Sequence, residues 1–197
     1  MTPQELAHQL KSRFGELLSE PVESCREVTL ELKDAEQIVA VCDFALEQLG
    51  CDFLLDISSV DDYGQDPRWT IVYELYGLGH HAHVRLKTRV SEARSELPSV
   101  TGIWRTADWH EREIYDMMGI RFRGHPDLRR ILMWEGYPYF PLRKDFPLAG
   151  RPTDLPEVAF TKPAPLEGGP FVTSAGATDA ADREPRAKAP SPAGQAA

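Results

Sequence analysis

Three consecutive segments between residues 51 and 90 constrain the fold most. They read CDFLLDISSVDDYG, RWTIVYELYGL and HHAHVRLKTRV, and each is rich in β-branched or aromatic residues. Gly, Asp or Pro residues separate each segment from the next. This spacing predicts three strands in an antiparallel meander, with His81 and His83 on one solvated strand face. Val28, Leu30 and Leu32 alternate with polar residues and predict a further strand with one buried face.

Two helices are predicted ahead of the meander. Thr2 and Glu5 form a capping box with Pro3 at the first helical position, and apolar residues follow at helical spacing as far as residue 18. Asp34 begins a second helical pattern that Gly50 closes. The class predicted is α+β, a small sheet of about four mostly antiparallel strands with helices on one face, followed by an extended C-terminal arm.

A third helix is predicted to have Asp108 as its N-cap, with Glu111 completing a capping box, and to run to Met118 before Gly119 in a left-handed cap. Frequent prolines then exclude long regular elements. We therefore expect three parts. Residues 1–120 form the α+β domain, residues 121–151 form an extended aromatic and basic arm, and residues 152–197 form a proline-rich extension that docks on a partner and whose end is disordered alone.

The composition of the arm indicates a partner. Residues 104–146 contain nine of the 18 aromatic residues, and residues 121–151 carry seven basic and three acidic side chains in a chain of net charge −9. A proline-broken segment cannot bury so much aromatic surface in its own regular elements, so we expect a neighbouring protein to cover it. The acidic total argues against general binding of nucleic acid.

The cysteines and the N-terminus limit the possible cofactors and locations. Three cysteines cannot supply the four thiolates that an iron–sulfur cluster usually takes, and we expect all three to be small apolar core residues. The N-terminus lacks a basic-then-apolar signal pattern, so we expect the chain to stay in the compartment where it is made. Without a run of ~18 apolar residues, it would reach a membrane only through a protein that spans one.

The segment 109–132, WHEREIYDMMGIRFRGHPDLRRIL, resembles an active site because it holds two histidines, four acidic residues and five arginines. A zinc protease motif fails at its second ligand, because Ile114 stands four residues after His110. Glu113 and Asp116 have the spacing of half a carboxylate metal site, and His125 is a further candidate ligand. The set of ligands nevertheless remains incomplete. A stand-alone metal-dependent hydrolase is therefore the weakest alternative.

The arginines of this segment have two possible structural roles. Arg112 and Asp116 have the spacing of an ion pair on a helix surface. Alternatively, the carboxylates of the helix pair with later arginines and so hold the arm on the helix. The planar guanidinium group is well suited to such contacts with carboxylates. The later arginines in question are Arg121, Arg123, Arg129 and Arg130.

The same residues resemble a known family. The run Glu111-Arg112-Glu113-x-x-Asp116-Met117-Met118, followed by His125, Arg129 and Ile131-Leu132, is similar to the signature of the C subunit of respiratory complex I. The similarity continues into WEGYPYFPLRKDFPL and a tail with GGPFVT and DREPR. It covers about residues 28–188 and is densest over 98–148.

The resemblance implies a non-catalytic, hydrophilic subunit in the peripheral arm of proton-translocating NADH:quinone oxidoreductase. It implies the D subunit, which helps form the quinone site, as the main partner, and subunits such as B and I as further ones. FMN, iron–sulfur clusters and quinone would lie in partner subunits, with none in this chain, on the cytoplasmic face of the bacterial inner membrane. The equivalent subunit of a related membrane-bound hydrogenase, or of another donor-dependent quinone reductase, is the alternative.

The resemblance also implies which residues matter, as positions of a junction and interface and not of a catalytic, cofactor or metal site. These positions are Glu111, Arg112, Glu113, Asp116, Met117, Met118, His125, Arg129, Arg130, Trp134, Tyr137, Tyr139, Phe140, Arg143, Asp145 and Phe146.

Overall fold

A computed structural model describes residues 1–147 of the chain. The predicted extension 152–197 and the last residues of the predicted arm lie outside the described residues.

Two helices precede the meander, as the sequence predicts. Helix α1 spans Pro3–Phe14, and its capping box is formed, since Thr2 Oγ1 accepts from the Glu5 N–H at 3.2 Å and the Glu5 carboxylate accepts from the Thr2 N–H at 2.9 Å. A 3-10 turn, Gly15–Leu17, follows it, so the helix is shorter than predicted. Helix α2 spans Ile38–Glu47 after a 3-10 turn that Asp34 caps.

The main sheet has five strands in the order β1-β2-β5-β4-β3. The strands are β1 (Val22–Ser24), β2 (Glu27–Leu32), β3 (Phe53–Asp61), β4 (Trp69–Gly77) and β5 (Ala82–Val90). The predicted antiparallel meander is confirmed in β3, β4 and β5, whereas β2 lies parallel to β5. The strand that the sequence did not predict is β1. It has only three residues, which are too few to show an alternation of apolar and polar side chains.

The predicted α+β class is confirmed, with one face of the sheet carrying the core. Trp69, Tyr73 and Leu86 are buried on this face, and α1 packs over β2 and β5 with Leu6 and Leu10 fully buried. Burying this apolar surface is the main stabilising contribution to the domain. The opposite face is polar, and its central charged side chains pair across strands.

Two sequence predictions about smaller features are wrong. His81 lies in the turn before β5 with a φ of +53°, so it shares no strand face with His83, which contacts Glu74 at 2.6 Å. The prediction failed because the turn takes up both residues before Ala82. Cys42 and Cys51 are buried as expected, but Cys25 is exposed in the tight turn between β1 and β2, also at positive φ.

The third helix, α3, spans Ala107–Met118 and begins two residues earlier than predicted. Its N-cap is Thr106 and not Asp108, and the predicted capping box is not formed, because the Glu111 side chain is hydrogen-bonded to the loop at Ser99 and Val100. Gly119 closes the helix in the left-handed conformation, as predicted, at φ +77°. A second, two-stranded parallel sheet then joins β6 (Glu96–Pro98) to β7 (Arg121–Arg123).

Candidate functional site at the junction of helix α3 and the following segment

Asp116 is the centre of the junction. Its side chain is fully buried, and one carboxylate oxygen accepts hydrogen bonds from three consecutive backbone N–H groups, those of Ile131, Leu132 and Met133, at 2.7–3.0 Å. The other oxygen accepts from Arg130 at 2.5 Å. Burial by itself raises the pKa of Asp116, but these donors outweigh it and the pKa is lowered. The carboxylate is therefore held ionised and fixes the chain 15 residues further on.

Two arginines clamp the same segment by donating to backbone carbonyls. Arg130 also donates to the Asp116 carbonyl at 2.9 Å and to the Tyr139 carbonyl at 3.1 Å. Arg112 is buried and donates to the carbonyls of Arg129 and Arg130 at 3.2 and 3.4 Å, while its guanidinium stacks on Trp109. Within residues 1–147 the surface pair between Arg112 and Asp116 is therefore absent, since both side chains bind the later segment instead.

Glu111 performs the corresponding task on the other side of α3. It is fully buried, and its carboxylate accepts from the Ser99 hydroxyl at 2.6 Å and from the Val100 N–H at 2.8 Å. Burial raises the pKa of Glu111 to about 7, against the lowering effect of these two donors, and the charge of Asp108 raises it further. It ties α3 to the loop after β6 and contacts no arginine among the described residues.

A second charged centre joins the end of the described chain to the meander. Arg68 is almost fully buried and makes a bidentate pair with Asp61, with both contacts at 2.8 Å. It also binds Glu92 and Asp145, each at 2.6 Å. Asp61 further accepts from the Lys144 N–H at 2.8 Å. The Arg68 guanidinium lowers the pKa of both Asp61 and Asp145.

The aromatic residues after β7 pack on one another and on these cations. Tyr137 contacts Trp134 and Tyr139 edge-on, with ring centroids 4.6 and 5.7 Å apart, and Tyr139 contacts Phe146 at 6.0 Å. Arg143 stacks on Phe140 at 4.5 Å and donates to the Met118 carbonyl at 2.6 Å. The guanidinium and the ring would lie only 2.5 and 2.7 Å from a Cβ added at Gly119, so a larger residue there would displace them.

The remaining predicted positions differ in how much they contribute. Met117 and Met118 belong to the core. The His125 ring is buried; its Nδ1 accepts from the Asp127 N–H at 3.0 Å, and its Nε2 lies 3.3 Å from the Asp108 carbonyl oxygen and 3.2 Å from the Asp108 carboxylate. The Arg129 side chain is exposed, and its one ion pair within residues 1–147 is with Asp127, at 2.8 Å. The Glu113 side chain is exposed and has no hydrogen bond or ion pair within residues 1–147.

The charged side chains of the junction hold segments of this chain together. Asp116 and Arg130 are the single helix-to-arginine pair present within residues 1–147 among those the sequence suggested, and Arg123 instead pairs with Glu36 and Glu96. Among the described residues, no three His, Cys, Asp or Glu side chains are grouped so that they could hold a metal ion. The buried carboxylates already have their oxygens occupied by N–H, O–H or guanidinium donors.

Sequence reasoning missed the centre at Arg68 and the role of Ser99. Arg68 stands between a proline and a strand and shows no helical or alternating pattern with its partners. Asp145 is 77 residues away, and such a separation leaves no local signal. A single arginine at the start of a buried strand was the one available hint.

The fold and the junction define a small α+β domain whose charged side chains hold a long irregular segment against its third helix. The family model for "Respiratory-chain NADH dehydrogenase, 30 Kd subunit" matches residues 32–152, and the chain belongs to this family.

Similar proteins carry consistent names. The chain is 53% identical over 134 residues to the C 2 subunit of NADH-quinone oxidoreductase from Rhizobium meliloti, covering 67% of this chain and 73% of that one. It is 46% identical over 160 residues to the C 2 subunit from Rhizobium etli (strain CIAT 652), covering 80% and 84%. It is 43% identical over 142 residues to the C subunit from Geotalea uraniireducens, covering 72% and 86%.

Two solved structures share the fold. A trypsin-resistant fragment of Nqo5 is 27% identical with a TM-score of 0.56, covering 65% of this chain and 100% of the fragment. A chain in the archaeal membrane-bound sulfane sulfur reductase is 22% identical with a TM-score of 0.60, covering 73% and 85%, which shows the fold alone.

Proposed function

We propose that this chain is a non-catalytic, hydrophilic subunit in the peripheral arm of proton-translocating NADH:quinone oxidoreductase, where it braces the D subunit at the quinone site. Electrons would pass from NADH through flavin and iron–sulfur clusters in other subunits to quinone. The observation that carries the proposal is the set of contacts made by Asp116. Its carboxylate accepts hydrogen bonds from three N–H groups and from Arg130, and these bonds fix the conformation of the segment that we propose binds the partner.

The surface of this segment supports a role in binding a partner. Leu132, Trp134 and Leu142 are 62%, 43% and 57% exposed, and Trp109 of α3 is 59% exposed. Protein interfaces are enriched in aromatic residues and arginine, and this segment combines exposed aromatic and apolar side chains with several arginines. The predicted signature positions would therefore act as the helix-to-arm junction and the interface that it presents.

The proposed organisation keeps three parts, with residues 1–120 as the domain, 121–151 as the arm and 152–197 as an extension that docks on a partner. The D subunit would be the main partner, and subunits such as B and I would be further ones. FMN, the clusters and quinone would be bound by those partners. Within residues 1–147 no helix is both long and apolar enough to cross a membrane. The proposed location is peripheral, on the cytoplasmic face of the bacterial inner membrane.

The test is to extract the tagged full-length chain from its own membranes in mild detergent and to separate the extract on a native gel. We expect the tag to migrate in a very large complex that stains for NADH dehydrogenase activity. A tag that migrates alone would contradict the proposal. A large complex that is active with hydrogen or another donor, and not with NADH, would favour the related hydrogenase or quinone reductase.

Site variants separate bracing from catalysis in the same gel. We expect Asp116→Ala to reduce the amount of tag in the complex, and Glu16→Ala, at an exposed residue outside the junction and its interface, to leave both assembly and activity unchanged. The non-catalytic role would be wrong if Glu113→Ala and Arg129→Ala both left assembly intact and abolished electron transfer to quinone.

A further inference from the structure

Arg143 is a half-buried cation that makes no ion pair within residues 1–147. Arg68, by contrast, pairs with three carboxylates, and Arg130 pairs with Asp116. The Nε of Arg143 donates to the Met118 carbonyl at 2.6 Å, and its two terminal amino groups have no acceptor among the described residues. Four of the five N–H donors of this guanidinium are therefore open to an acceptor from outside the described part of the chain.

Two aromatic rings hold the Arg143 guanidinium in place. Its central carbon lies 4.5 Å from the centroid of the Phe140 ring and 5.1 Å from that of Trp69. Trp69 is fully buried, so this ring cannot move aside easily. Together with the bond from Nε, these contacts fix the direction of the remaining donors. An acceptor that binds them therefore costs little side-chain entropy.

The surroundings of Arg143 leave its positive charge incompletely balanced. Burial and the charge of Arg68 lower the pKa of Arg143, and the nearby carboxylates offset this lowering only in part. The arginines that have carboxylate partners behave in the opposite way, since pairing with Glu74 raises the pKa of Arg85 and pairing with Asp61 raises that of Arg68. A further anion beside Arg143 would remove the difference.

A pocket of about 260 Å³ opens beside this guanidinium. Its charged lining residues are Arg143 and Asp145, and the others are Pro138, Tyr139, Phe140 and Phe146. Asp145 is already paired with Arg68 at 2.6 Å, which leaves Arg143 as the unpaired charge of the pocket. The pocket has room for one side chain, and its apolar walls lower the local dielectric, which strengthens a charge contact made inside it.

The pocket adjoins the surface that we propose binds the partner. Tyr139 of the pocket contacts Tyr137 at 5.7 Å, and Tyr137 contacts Trp134, which is 43% exposed. Leu142, directly before Arg143, is 57% exposed. A partner that covers these side chains would also cover the pocket and exclude water from it. An arginine among aromatic rings is typical of the residues that contribute most to such interfaces.

We propose that an aspartate or glutamate side chain of a neighbouring subunit enters this pocket and binds the free donors of Arg143. The inference rests on the proposed function, because it takes the carboxylate from another subunit of the same complex. The planar guanidinium favours a carboxylate, which can accept two parallel hydrogen bonds from it. Arg143 would thus act between chains, whereas Arg68 and Arg130 act within the chain.

Crosslinking in the assembled complex identifies the carboxylate. Arg143→Lys keeps the positive charge and places an amine at the pocket. The complex that stains for NADH dehydrogenase is purified with this tagged chain and treated with a water-soluble carbodiimide, which joins an amine to a carboxylate in contact with it. Mass spectrometry should find position 143 joined to one aspartate or glutamate of another subunit. The matched control is Arg13→Lys, on the exposed face of α1, which should not be joined to that residue.

Exchange of the two charges separates this contact from the role of Arg143 at the helix end. Arg143→Glu should lower retention of the chain in the complex at least about tenfold, as reversal of a partly desolvated interfacial charge does. Arg13→Glu makes the same change on α1 and should have no effect. Changing the captured aspartate or glutamate to arginine should restore retention of the Arg143→Glu chain and lower that of the wild-type chain. A loss caused by a disturbed helix end would not be restored in this way.

The outcomes distinguish the inference from the function on which it rests. A link from position 143 to Asp145, to residues 148–197 of the same chain or to no residue would overturn the inference. Equal retention of Arg143→Glu and Arg13→Glu would also overturn it, as would a charge exchange that restores nothing. In each case a wild-type chain found in the active complex leaves the proposed function standing, whereas a chain absent from that complex removes both.

Discussion

At the scale of single residues, two buried carboxylates on one helix have opposite electrostatic settings. Asp116 meets four donors, which outweigh the cost of burial, so its pKa is lowered. Glu111 meets two donors, which do not, so its pKa is raised to about 7. Three N–H donors and the cationic Arg130 thus keep Asp116 ionised, whereas burial and the nearby charge of Asp108 outweigh the two neutral donors of Glu111, which can take up a proton near neutral pH.

Asp116→Ala should destabilise the protein by about 3–5 kcal/mol, because it leaves the mostly buried Arg130 side chain and three N–H groups without their acceptor. The measurement is the free energy of unfolding in urea. Arg129→Ala is the control, since it removes an exposed pair worth at most about 1 kcal/mol. Equal effects of the two substitutions would show that the junction does not depend on Asp116.

Glu111→Gln should flatten the pH dependence of stability. The folded-state pKa of about 7 lies above the ordinary value of 4.5, so between these pH values the folded protein binds a proton that the unfolded chain does not. The free energy of unfolding of the wild type therefore falls as pH rises through this window, by about 3 kcal/mol from this group. Urea unfolding at about pH 5 and about pH 7.5 should show this fall in the wild type and a smaller one in the variant.

At the scale of elements, the end of α3 and the segment that returns over it are built together. Gly119 turns the chain at φ +77°, and the space above it is filled by Arg143 and Phe140. Leu142 N–H donates to the Met117 carbonyl at 3.2 Å, which completes the helix end. The helix terminus therefore serves as a seat for residues more than 20 positions later.

Gly119→Ala should destabilise the protein by at least about 1 kcal/mol, since an L-residue is disfavoured in the left-handed region and the new methyl group also displaces Arg143. The measurement is the melting temperature. Gly102→Ala is the matched control, because no atom lies within 4 Å of its added Cβ. If both substitutions lowered the melting temperature equally, the side chains of Arg143 and Phe140 above Gly119 would be able to move aside without loss of stability.

At the scale of the whole molecule, Arg68 links the main sheet to the last of the described residues. It joins the ends of β3 and β4 to Glu92 after β5 and to Asp145 near the end of the described residues. One guanidinium thus serves three carboxylates, a task that fits its planar arrangement of donors.

Arg68→Lys should lower the free energy of unfolding by about 3 kcal/mol, because a single ammonium cannot pair with Asp61 in bidentate fashion and also reach the other two carboxylates. It should also speed proteolytic cleavage between residues 138 and 147. Both are measured on the full-length chain, by urea unfolding and by timed digestion with mass spectrometry. Arg129→Lys should change neither quantity, and cleavage unchanged in Arg68→Lys would separate Arg68 from the fastening of this segment.

The sequence by itself determined the features that depend on neighbours along the chain. Alternation and turn residues predicted the meander, the capping box predicted the start of α1, and Gly119 predicted the end of α3, because each is a local preference of the backbone. The fixed spacing of the 111–132 signature identified the family. What only the tertiary structure decided is which charged groups meet. Glu111 binds Ser99 instead of capping the helix, Asp116 accepts from backbone N–H groups, and Arg68 pairs with three carboxylates. Contacts between residues far apart in the chain follow from packing, so they leave no periodic pattern in the sequence.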